Sequence, residues 1–462
     1  MIEVEAPVTS INEANVYSVD ATAIAVLTGI YTDMINSSIF SGNSSITLFA
    51  GLGSDELTLH NSVTASTHIA YYTNSLKVES PSQTLGAESW NLFYNIIFKC
   101  NAAIEGITKS TTLTFSVKQQ LLGEAKFVRA FIYFYLVNLF GDVPLAIATD
   151  PTRNATLSRA PQSQIYEKII DDLKEASNLL SPEYLNGNLQ PYSGSKERLR
   201  PTKWAAASLL ARVYMYTNNY SMAEIEATKV IDNSSLYSLV NLNDVFLKNS
   251  TEAIWQLQPV LDPSRNTEEA FTYVIPTTGP SDINGPSGNP VYLSNILLSK
   301  FDLDDQRRAN GNWIDSIIVA GFVYYYPHKY KVTNTSTEVT EYLMVLRLAE
   351  QYLIRAEVRA HENKISEAQS DLNAIRTRAG LSNTTANDRN SLIQAILDER
   401  QKELFVEWGH RWLDLKRTNI IDSVMSVVCL KKGGVWNSFQ QWYPIPLSDI
   451  LKDPNLVQNS GY

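Results

Sequence analysis

The acidic side chains of the segment DERQKELFVEWGHRWLDLKR, residues 398–417, are the first candidates for chemistry. Glu399, Glu403 and Glu407 recur at four-residue spacing, so on a helix they share one face, with arginines nearby. Paired carboxylates can act as acid and base in glycoside hydrolysis. Carboxylates interleaved with arginines also form structural ion-pair networks that perform no chemistry. We interpret the segment as such a network and assign it no catalytic residue.

No other pattern of reactive side chains predicts catalysis or metal binding. The sequence contains no GxSxG nucleophile turn, no CxxC pair and no calcium loop of the DxDxDG type. Cys100 lies in an apolar run and is expected to be a buried thiol. The five histidines show no HExxH motif or other metal-like spacing; they are His60, His68, His328, His361 and His410. The sequence therefore predicts no catalytic residue, no metal and no cofactor.

The bulk composition limits the possible partners. The 462 residues are 44% hydrophobic and 19% charged, which is typical of a folded globular chain. A net charge of −10 argues against a nucleic-acid binder and against broad docking on anionic lipid. No run of eighteen consecutive apolar residues could form a membrane-spanning helix.

The elements that would position any site begin with one very apolar helix. The stretch GEAKFVRAFIYFYLVNLFGDVPL at 123–145 has two apolar stripes at helical spacing, one through Val128 and Ile132 and one through Phe127 and Phe131. A helix that is apolar on two faces is buried between layers. Gly141 can close this helix in the left-handed conformation. We predict the inner helix of a helical stack.

Two later segments predict paired helices. Residues 201–232 and 346–380 each read as a helical hairpin, and the alanine pairs 211/223 and 356/368 share a spacing of twelve. Small residues at this spacing are typical of tetratricopeptide-like units, where paired helices approach closely. The predicted fold is mostly α, with tetratricopeptide-like repeats in an α/α superhelix and large irregular loop and short-strand insertions.

The expected organisation is a single body over 1–462. Its helical repeat scaffold covers about 83–235 and 341–420, and two irregular insertions cover about 41–82 and 236–340. Within the second insertion, residues 252–260 and 317–332 have the β-branched and aromatic composition of strands. Long irregular segments in a compact protein tend to carry function.

Four segments in this order resemble the hallmark segments of the SusD/RagB family of glycan-binding outer-membrane lipoproteins of Bacteroidetes. They lie at 123–145, 346–360, 399–419 and 442–462, and the resemblance covers the chain from about residue 85 to its end. It implies a helical fold with tetratricopeptide-like units, no catalysis, and binding of an oligo- or polysaccharide. It also implies delivery of that glycan to a TonB-dependent outer-membrane transporter of the SusC type.

The resemblance further implies export to the outer face of the outer membrane and attachment through a lipidated N-terminal cysteine. The sequence differs there, because Met1-Ile2-Glu3 shows no lipobox and the first cysteine is Cys100. We interpret the sequence as beginning just after the signal peptide and the anchoring cysteine. A membrane contact is expected only through that lipid.

A sugar ring offers a patch of C–H groups to aromatic rings and a rim of hydroxyls to polar side chains. In family members the glycan site is built from loops ahead of the first long helix and from the irregular region past the middle repeats. The two insertions occupy those places and supply the candidate glycan-binding residues, which are Tyr71, Tyr72, Asn74, Asn289, Tyr292, Arg308 and Trp313. Among the tryptophans, Trp313 has the least core-like surroundings, so we expect it to be exposed.

Two other function classes stay open at this stage. A tetratricopeptide scaffold that binds peptides or proteins would use the same helical hairpins. An α-helical glycoside hydrolase is a further alternative, although the helical pattern is interrupted across 236–340. A surface glycan-binding protein is the function that the sequence favours.

Overall fold

The structure is a computed structural model that describes residues 16–260, 266–285, 288–333 and 338–462. Helices dominate it, and among the described residues none is both long and apolar enough to cross a membrane. In the first half of the chain the helices are α1 (Asp20–Asn36), α2 (Ile46–Gly53), α3 (Ser66–Tyr72), α4 (Trp90–Lys109), α5 (Phe115–Phe140), α6 (Pro151–Asn154), α7 (Gln162–Leu179), α8 (Lys203–Tyr216) and α9 (Tyr220–Ile231).

The second half continues the same architecture. Its helices are α10 (Glu268–Tyr273), α11 (Asn295–Leu298), α12 (Leu348–His361), α13 (Ile365–Arg378), α14 (Arg389–Glu403), α15 (His410–Arg417), α16 (Ile421–Lys431) and α17 (Leu447–Ile450). Packing runs in sequence from α4 to α5, α7, α8, α9, α12 and α13, so each helix contacts its neighbours in a continuous stack. This is the arrangement expected of a helical repeat scaffold.

The predicted repeat units are confirmed. Ala211 and Ala223 lie between α8 and α9, and Ala356 and Ala368 lie between α12 and α13; all four are fully buried. The inner helix is also confirmed, because every residue of α5 from Phe127 to its end is buried. Gly141 closes that helix with a φ of +79°. The scaffold begins later than expected, since residues 83–85 form a strand and α4 starts at residue 90.

The strands pair two at a time and antiparallel. They are β1 (Leu57–Leu59) with β7 (Val291–Leu293), β2 (Lys77–Ser80) with β3 (Gln83–Leu85), β4 (Val143–Pro144) with β5 (Arg159–Ala160), β6 (Ala253–Leu257) with β10 (Leu343–Arg347), and β8 (Ile314–Val319) with β9 (Phe322–Pro327). The strands expected within 252–260 and 317–332 are therefore present. The β1–β7 pair joins the two predicted insertions to each other.

The segment 41–82 is more ordered than its composition suggested, because it contains α2 and α3. All eight residues of α2 are buried, and Ser45 caps the helix by accepting a hydrogen bond from the Leu48 amide at 3.1 Å. The small polar residues that suggest a loop thus serve as caps and close contacts. We correct the expectation of an irregular insertion for this part of the chain.

The acidic segment forms a buried ion-pair network, as predicted. The guanidinium of Arg347 contacts three carboxylates, at 3.0 Å from Glu252, 2.6 Å from Glu403 and 2.8 Å from Glu407. All four side chains are buried. Burial alone would favour the neutral carboxyls, but the surrounding arginines dominate and hold the pKa values of Glu403 and Glu407 below their usual range.

Further cations complete this network. Arg307 contacts Glu399 at 2.6 Å and Glu403 at 3.0 Å, and Arg378 bridges Glu252 and Glu403. The Lys329 ammonium contacts the Glu407 carboxylate at 2.5 Å. The network therefore joins β10, α13, α14 and the segments that flank the β8–β9 hairpin. Buried charges need this degree of pairing, because each unpaired one is strongly destabilising.

Glu407 belongs to the network but does not lie on the helix that the sequence predicted for it. The helix α14 ends at Glu403, so Glu407 does not share its face with the two earlier glutamates. The chain turns through a corner in which Val406, Trp408 and Gly409 have φ values of +50°, +48° and +70°. A Cβ atom at Gly409 would lie 2.8 Å from the Ala50 Cβ, so only glycine permits this contact with α2.

Trp313 lies in the core, and the expectation that it is exposed is wrong. The side chain is 0% exposed, and its indole N–H donates to the Leu242 carbonyl at 2.8 Å. Its ring covers the network, with the Lys329 Nζ atom 4.7 Å from the ring centroid. The polar neighbours of Trp313 form a surface turn, while β8 begins next to it and directs the indole inward. Sequence context alone does not reveal this direction.

Beside α2, the helix α10 buries an acidic side chain. Glu269 is 3% exposed, and among the described residues no basic side chain forms an ion pair with its carboxyl group, which the Gly42 backbone amide approaches. Burial raises the pKa of Glu269 from 4.5 to about 8, and the adjacent Glu268 adds to the effect. The carboxyl is therefore protonated near neutral pH.

Substituting Glu403→Gln should reduce the free energy of unfolding by about 3–5 kcal/mol, because three arginines lose a buried counter-charge. Chemical denaturation at pH 7 measures the change. The exposed pair Glu183–Lys196 provides the control, and Glu183→Gln should cost less than about 1 kcal/mol. Equal effects of the two substitutions would show that the network is not a stability determinant.

Substituting Trp313→Ala should destabilise the protein by about 3–5 kcal/mol through loss of buried area and the cavity left behind. Guanidinium denaturation measures this, with the partly exposed Trp204→Ala as the matched control for loss of an indole. If Trp313→Ala left stability unchanged, the buried position of the indole would be contradicted.

Substituting Glu269→Gln should remove a pH dependence of stability. The folded state keeps the Glu269 proton up to about pH 8, whereas the unfolded state loses it above about pH 4.5, so the wild type loses stability as pH rises through this window. The glutamine variant should match the wild type near pH 4.5 and exceed its stability at pH 8 by roughly 1–4 kcal/mol. Thermal unfolding at both pH values checks the sign; a variant that is less stable at pH 8 would contradict it.

Candidate functional site

The seven residues nominated from the sequence fall into two groups. Four are buried and engaged in structural contacts, and these are Tyr71, Asn74, Asn289 and Trp313. Three are partly exposed, and these are Tyr72, Tyr292 and Arg308. Only the second group offers side chains to a ligand in this structure.

Tyr71 packs inside the protein. Its ring stacks on Phe49 with centroids 4.1 Å apart and an interplanar angle of 8°, and its hydroxyl donates to the Glu88 carboxylate at 2.9 Å. Because Tyr71 and Tyr72 are consecutive in α3, their side chains point about 100° apart. One ring therefore faces the core and the next faces outward, a choice that the sequence pattern did not show.

The two asparagines support the loops instead of facing solvent. The Asn74 amide donates to the Gly53 carbonyl at 3.1 Å, and its backbone has a φ of +50° at the end of α3. The Asn289 amide donates to the carbonyls of residues 271, 272 and 274 at 2.7–3.2 Å, where α10 ends. Both side chains satisfy backbone groups at helix ends, which is a common use of asparagine.

Tyr72 and Tyr292 are brought together by the β1–β7 pair. In this ladder Thr58 lies directly opposite Tyr292, and Thr58 also hydrogen-bonds the Tyr72 side chain. Burial raises the pKa of the Tyr72 hydroxyl, and the neighbouring Tyr292 raises it further. Two residues from separate insertions thus meet at one surface.

Two further rings complete this surface, and neither is among the nominated residues. The ring centroid of Tyr324 on β9 lies 5.2 Å from that of Tyr292 in an edge-to-face arrangement. The His60 ring centroid lies 6.0 Å from that of Tyr324. All four rings are partly exposed. We refer to Tyr72, Tyr292, Tyr324 and His60 as the aromatic cluster. The composition of residues 317–332 predicted a strand here, but the sequence did not indicate which rings would face outward or what they would meet.

Arg308 stays separate from the cluster. It follows the buried Arg307 in the turn before β8, and its amide donates to the Asp305 carbonyl at 3.0 Å. Within the described chain, its side chain forms no hydrogen bond, ion pair or cation–π contact with the four rings. The structure therefore does not assemble the nominated residues into one site.

Hydrogen bonds between the insertions stiffen the frame of the cluster. The Asn43 amide donates to the Gly288 carbonyl at 3.0 Å. The Thr64 amide and hydroxyl both donate to one Asp282 carboxylate oxygen, at 2.7 and 2.8 Å. The rings are thus held on paired strands and cross-linked loops, as a preformed binding surface requires.

The charged side chain beneath the cluster already has hydrogen-bond partners within the protein. The Lys432 ammonium lies 5.1 Å from the Tyr72 ring centroid and donates to the carbonyls of Leu52, at 2.6 Å, and Ser54. Burial lowers the pKa of Lys432 to about 7, although nearby acidic groups oppose this. Burial also lowers the pKa of His60, which favours the neutral imidazole. The surface therefore suits an uncharged ligand.

The described residues gather no group of three or more histidine, cysteine, aspartate or glutamate side chains that could hold a metal ion. The cluster consists of phenol rings, an imidazole and hydroxyls, which stack on C–H groups and donate or accept hydrogen bonds. Non-covalent binding of a ligand with alternating apolar and hydroxyl faces is what this arrangement can perform.

Comparisons with known proteins agree with the resemblance seen in the sequence. A family model described as "Starch-binding associating with outer membrane" matches residues 52–215. A model described as "SusD family" matches residues 308–462. SusD-like protein P25 of Formosa agariphila is 25% identical over 506 residues and covers 96% of this chain and 93% of its own. Starch-binding protein SusD of Bacteroides thetaiotaomicron is 24% identical over an alignment that covers 78% of this chain and 74% of that protein.

Solved structures show the same fold. A SusD superfamily protein from Bacteroides vulgatus superposes with a TM-score of 0.79 at 20% identity, covering 96% of this chain and 99% of that chain. A laminarin-binding SusD-like protein superposes with a TM-score of 0.74 at 23% identity, covering 95% and 99%. With the ordered helical repeats, the two family models and these relatives taken together, the chain belongs to the SusD/RagB family.

Proposed function

We propose that this protein is a non-catalytic cell-surface glycan-binding protein that binds a neutral oligo- or polysaccharide at the aromatic cluster. The observation that carries the proposal is the meeting of four partly exposed rings, drawn from both insertions, on the β1–β7 pair and the adjacent β9 strand. Carbohydrate binding by members of the family supports the class of ligand.

The shape of the surface suits an extended chain of sugars. The rings of the cluster follow one another from His60 through Tyr324 to Tyr292 and Tyr72, so successive sugars could each contact a ring. Beyond Tyr324, the tip of the β8–β9 hairpin exposes Ile318 and Phe322, 68% and 69% exposed. Exposed apolar groups of this kind mark an interaction surface.

The charge distribution of the protein supports a neutral glycan as the ligand. A sulfated or uronic-acid polymer would bring many negative charges to a chain of net charge −10, and the Lys432 ammonium is engaged by backbone carbonyls. A relative with the same fold is named for binding laminarin, which is an uncharged glucan. We therefore place neutral glucans first among the candidate ligands.

A non-catalytic role is supported by the state of the acidic segment. Glu399, Glu403 and Glu407 are buried and neutralised by arginine and lysine, so none faces a ligand. An assay for released reducing sugars across a polysaccharide panel tests this directly. Release of sugars by the purified protein would contradict the proposal.

Delivery to a TonB-dependent transporter of the SusC type, and anchoring of the protein as an outward-facing lipoprotein of the outer membrane, belong to the same proposal. The description of the matching family, which associates starch binding with the outer membrane, supports both. Capture of such a transporter from solubilised outer membranes by the immobilised protein is the expected result. Capture of a soluble peptide client in its place would favour the tetratricopeptide scaffold.

Substituting Tyr324→Ala or Tyr72→Ala should weaken binding to a neutral glucan such as laminarin by about 5- to 50-fold, since each ring supplies a stacking contact and excludes water. Affinity gel electrophoresis and calorimetry measure the change. Retardation by an anionic polysaccharide such as alginate should be much weaker than by the neutral glucan.

The matched control is Tyr220→Ala, which removes a partly exposed tyrosine on α9 that stacks on His361. This variant should bind like the wild type. If cluster and control variants bound equally well, the glycan site would lie elsewhere. If the wild type preferred alginate, the neutral ligand class would be wrong.

A further inference from the structure

A cavity of about 220 Å³ lies between α1, the loop over residues 185–200 and the end of β6. The residues that line it include none of the aromatic cluster. At about 30 Å³ per water molecule, this space equals roughly seven waters, which is comparable to one sugar ring. We refer to it as the α1–β6 pocket.

The floor of the α1–β6 pocket is a buried arginine that is ion-paired with a glutamate and held by hydrogen bonds. The Arg200 guanidinium donates to the Glu124 carboxylate at 2.7 Å and to the Thr28 hydroxyl at 2.9 Å. The Tyr31 hydroxyl donates to the same carboxylate at 2.8 Å. Both Arg200 and Glu124 are buried, so their charges cancel within the protein. The floor offers dipoles and no free cation for an anion.

The rim combines a ring with polar groups that have spare hydrogen-bonding capacity. Tyr192 and Glu197 line it from the loop, and Gln258 lines it from the position directly after β6. The Tyr342 hydroxyl donates to one Glu197 oxygen at 3.1 Å and fixes the orientation of that carboxylate. Within the described part of the chain, no hydrogen bond engages the Tyr192 hydroxyl or the Gln258 amide. Apolar walls come from leucines of the loop and from β6.

These features favour a small neutral polyol over other ligands. Glu197 adds a negative charge that the paired floor does not cancel, so a phosphate or an acidic sugar is disfavoured. A purely apolar ligand would use neither the rim carboxylate nor the rim amide. A sugar ring satisfies both, because its hydroxyls bond Glu197 and Gln258 and its C–H face contacts Tyr192.

We propose that the α1–β6 pocket is a second carbohydrate subsite that holds one neutral sugar ring, with Tyr192 as the apolar contact and Glu197 and Gln258 as hydrogen-bond partners. The proposal rests on the proposed glycan-binding function for the class of ligand. It goes beyond that function because the pocket is lined by different elements from those of the aromatic cluster. A single sugar ring in such a pocket should bind with a dissociation constant of about 1–10 mM.

Saturation-transfer NMR of the intact protein with the methyl glycosides of glucose, galactose and mannose, and with glucuronate, tests the proposal. At least one neutral glycoside should bind saturably, and glucuronate should not bind. Tyr192→Ala should weaken the binding at least tenfold, and Glu197→Gln about fivefold while allowing some glucuronate to bind. Thermal unfolding of each variant establishes that it is folded, and the two variants test the site independently.

Two controls separate this subsite from the aromatic cluster. Tyr220→Ala should leave glycoside binding unchanged, and in a Tyr324→Ala background, where polymer binding is weakened, Tyr192→Ala should still weaken glycoside binding at least tenfold. The proposal is overturned if no neutral glycoside binds, or if Tyr192→Ala leaves glycoside binding unchanged in the wild-type and in the Tyr324→Ala background. Loss of laminarin binding in cluster variants has no bearing on this result, so the two proposals fail separately.

Discussion

Arg347 is held between three buried glutamates, and the ion-pair network around it ties together most of the elements that frame the candidate site. Withdrawing so many charges from water is costly, and the structure offsets this only by giving each group several partners of opposite sign. A network of this kind tolerates few alternative geometries. It therefore fixes how β10, α13, α14 and the β8–β9 hairpin lie relative to one another.

The aromatic cluster depends on that network although it contains none of its members. Trp313, just before β8, covers the network, and Lys329, just after β9, pairs with one of its glutamates, so both bases of the hairpin that carries Tyr324 are anchored. On the other side, the Arg411 guanidinium contacts the carboxylate of Asp55, two residues before β1, at 2.7 Å. The same short acidic and basic segment thus positions both halves of the cluster. A segment that looks catalytic in sequence acts here as a support.

This separation of support and site has a physical basis. Sugar binding needs rings that are exposed, neutral and held still, because weak stacking and hydrogen bonds cannot also offset the entropy of ordering a loop. Strong buried electrostatics provide rigidity at a distance, while the surface remains uncharged. With a second subsite in the α1–β6 pocket, a branched glycan could engage two weak sites at once and gain affinity through effective concentration.

The sequence by itself determined the helical scaffold, the alanine contacts between paired helices, the buried helix α5, the acidic network and the family. Each of these depends on local periodicity or on motifs in order, which a linear sequence contains in full. It also nominated Tyr72 and Tyr292, whose side chains are partly exposed in the structure.

Only the tertiary structure decided which side chains of the insertions face outward. Tyr71 and Trp313 face the core because α3 and β8 are rotated by contacts with Phe49 and with the ion-pair network, and those contacts come from distant parts of the chain. Tyr324 joins the cluster because β9 packs beside β7, and no local sequence pattern specifies that packing contact. Side-chain direction in a loop-rich region is set by packing against distant parts of the chain. That packing leaves no periodic pattern in the sequence from which it could be predicted.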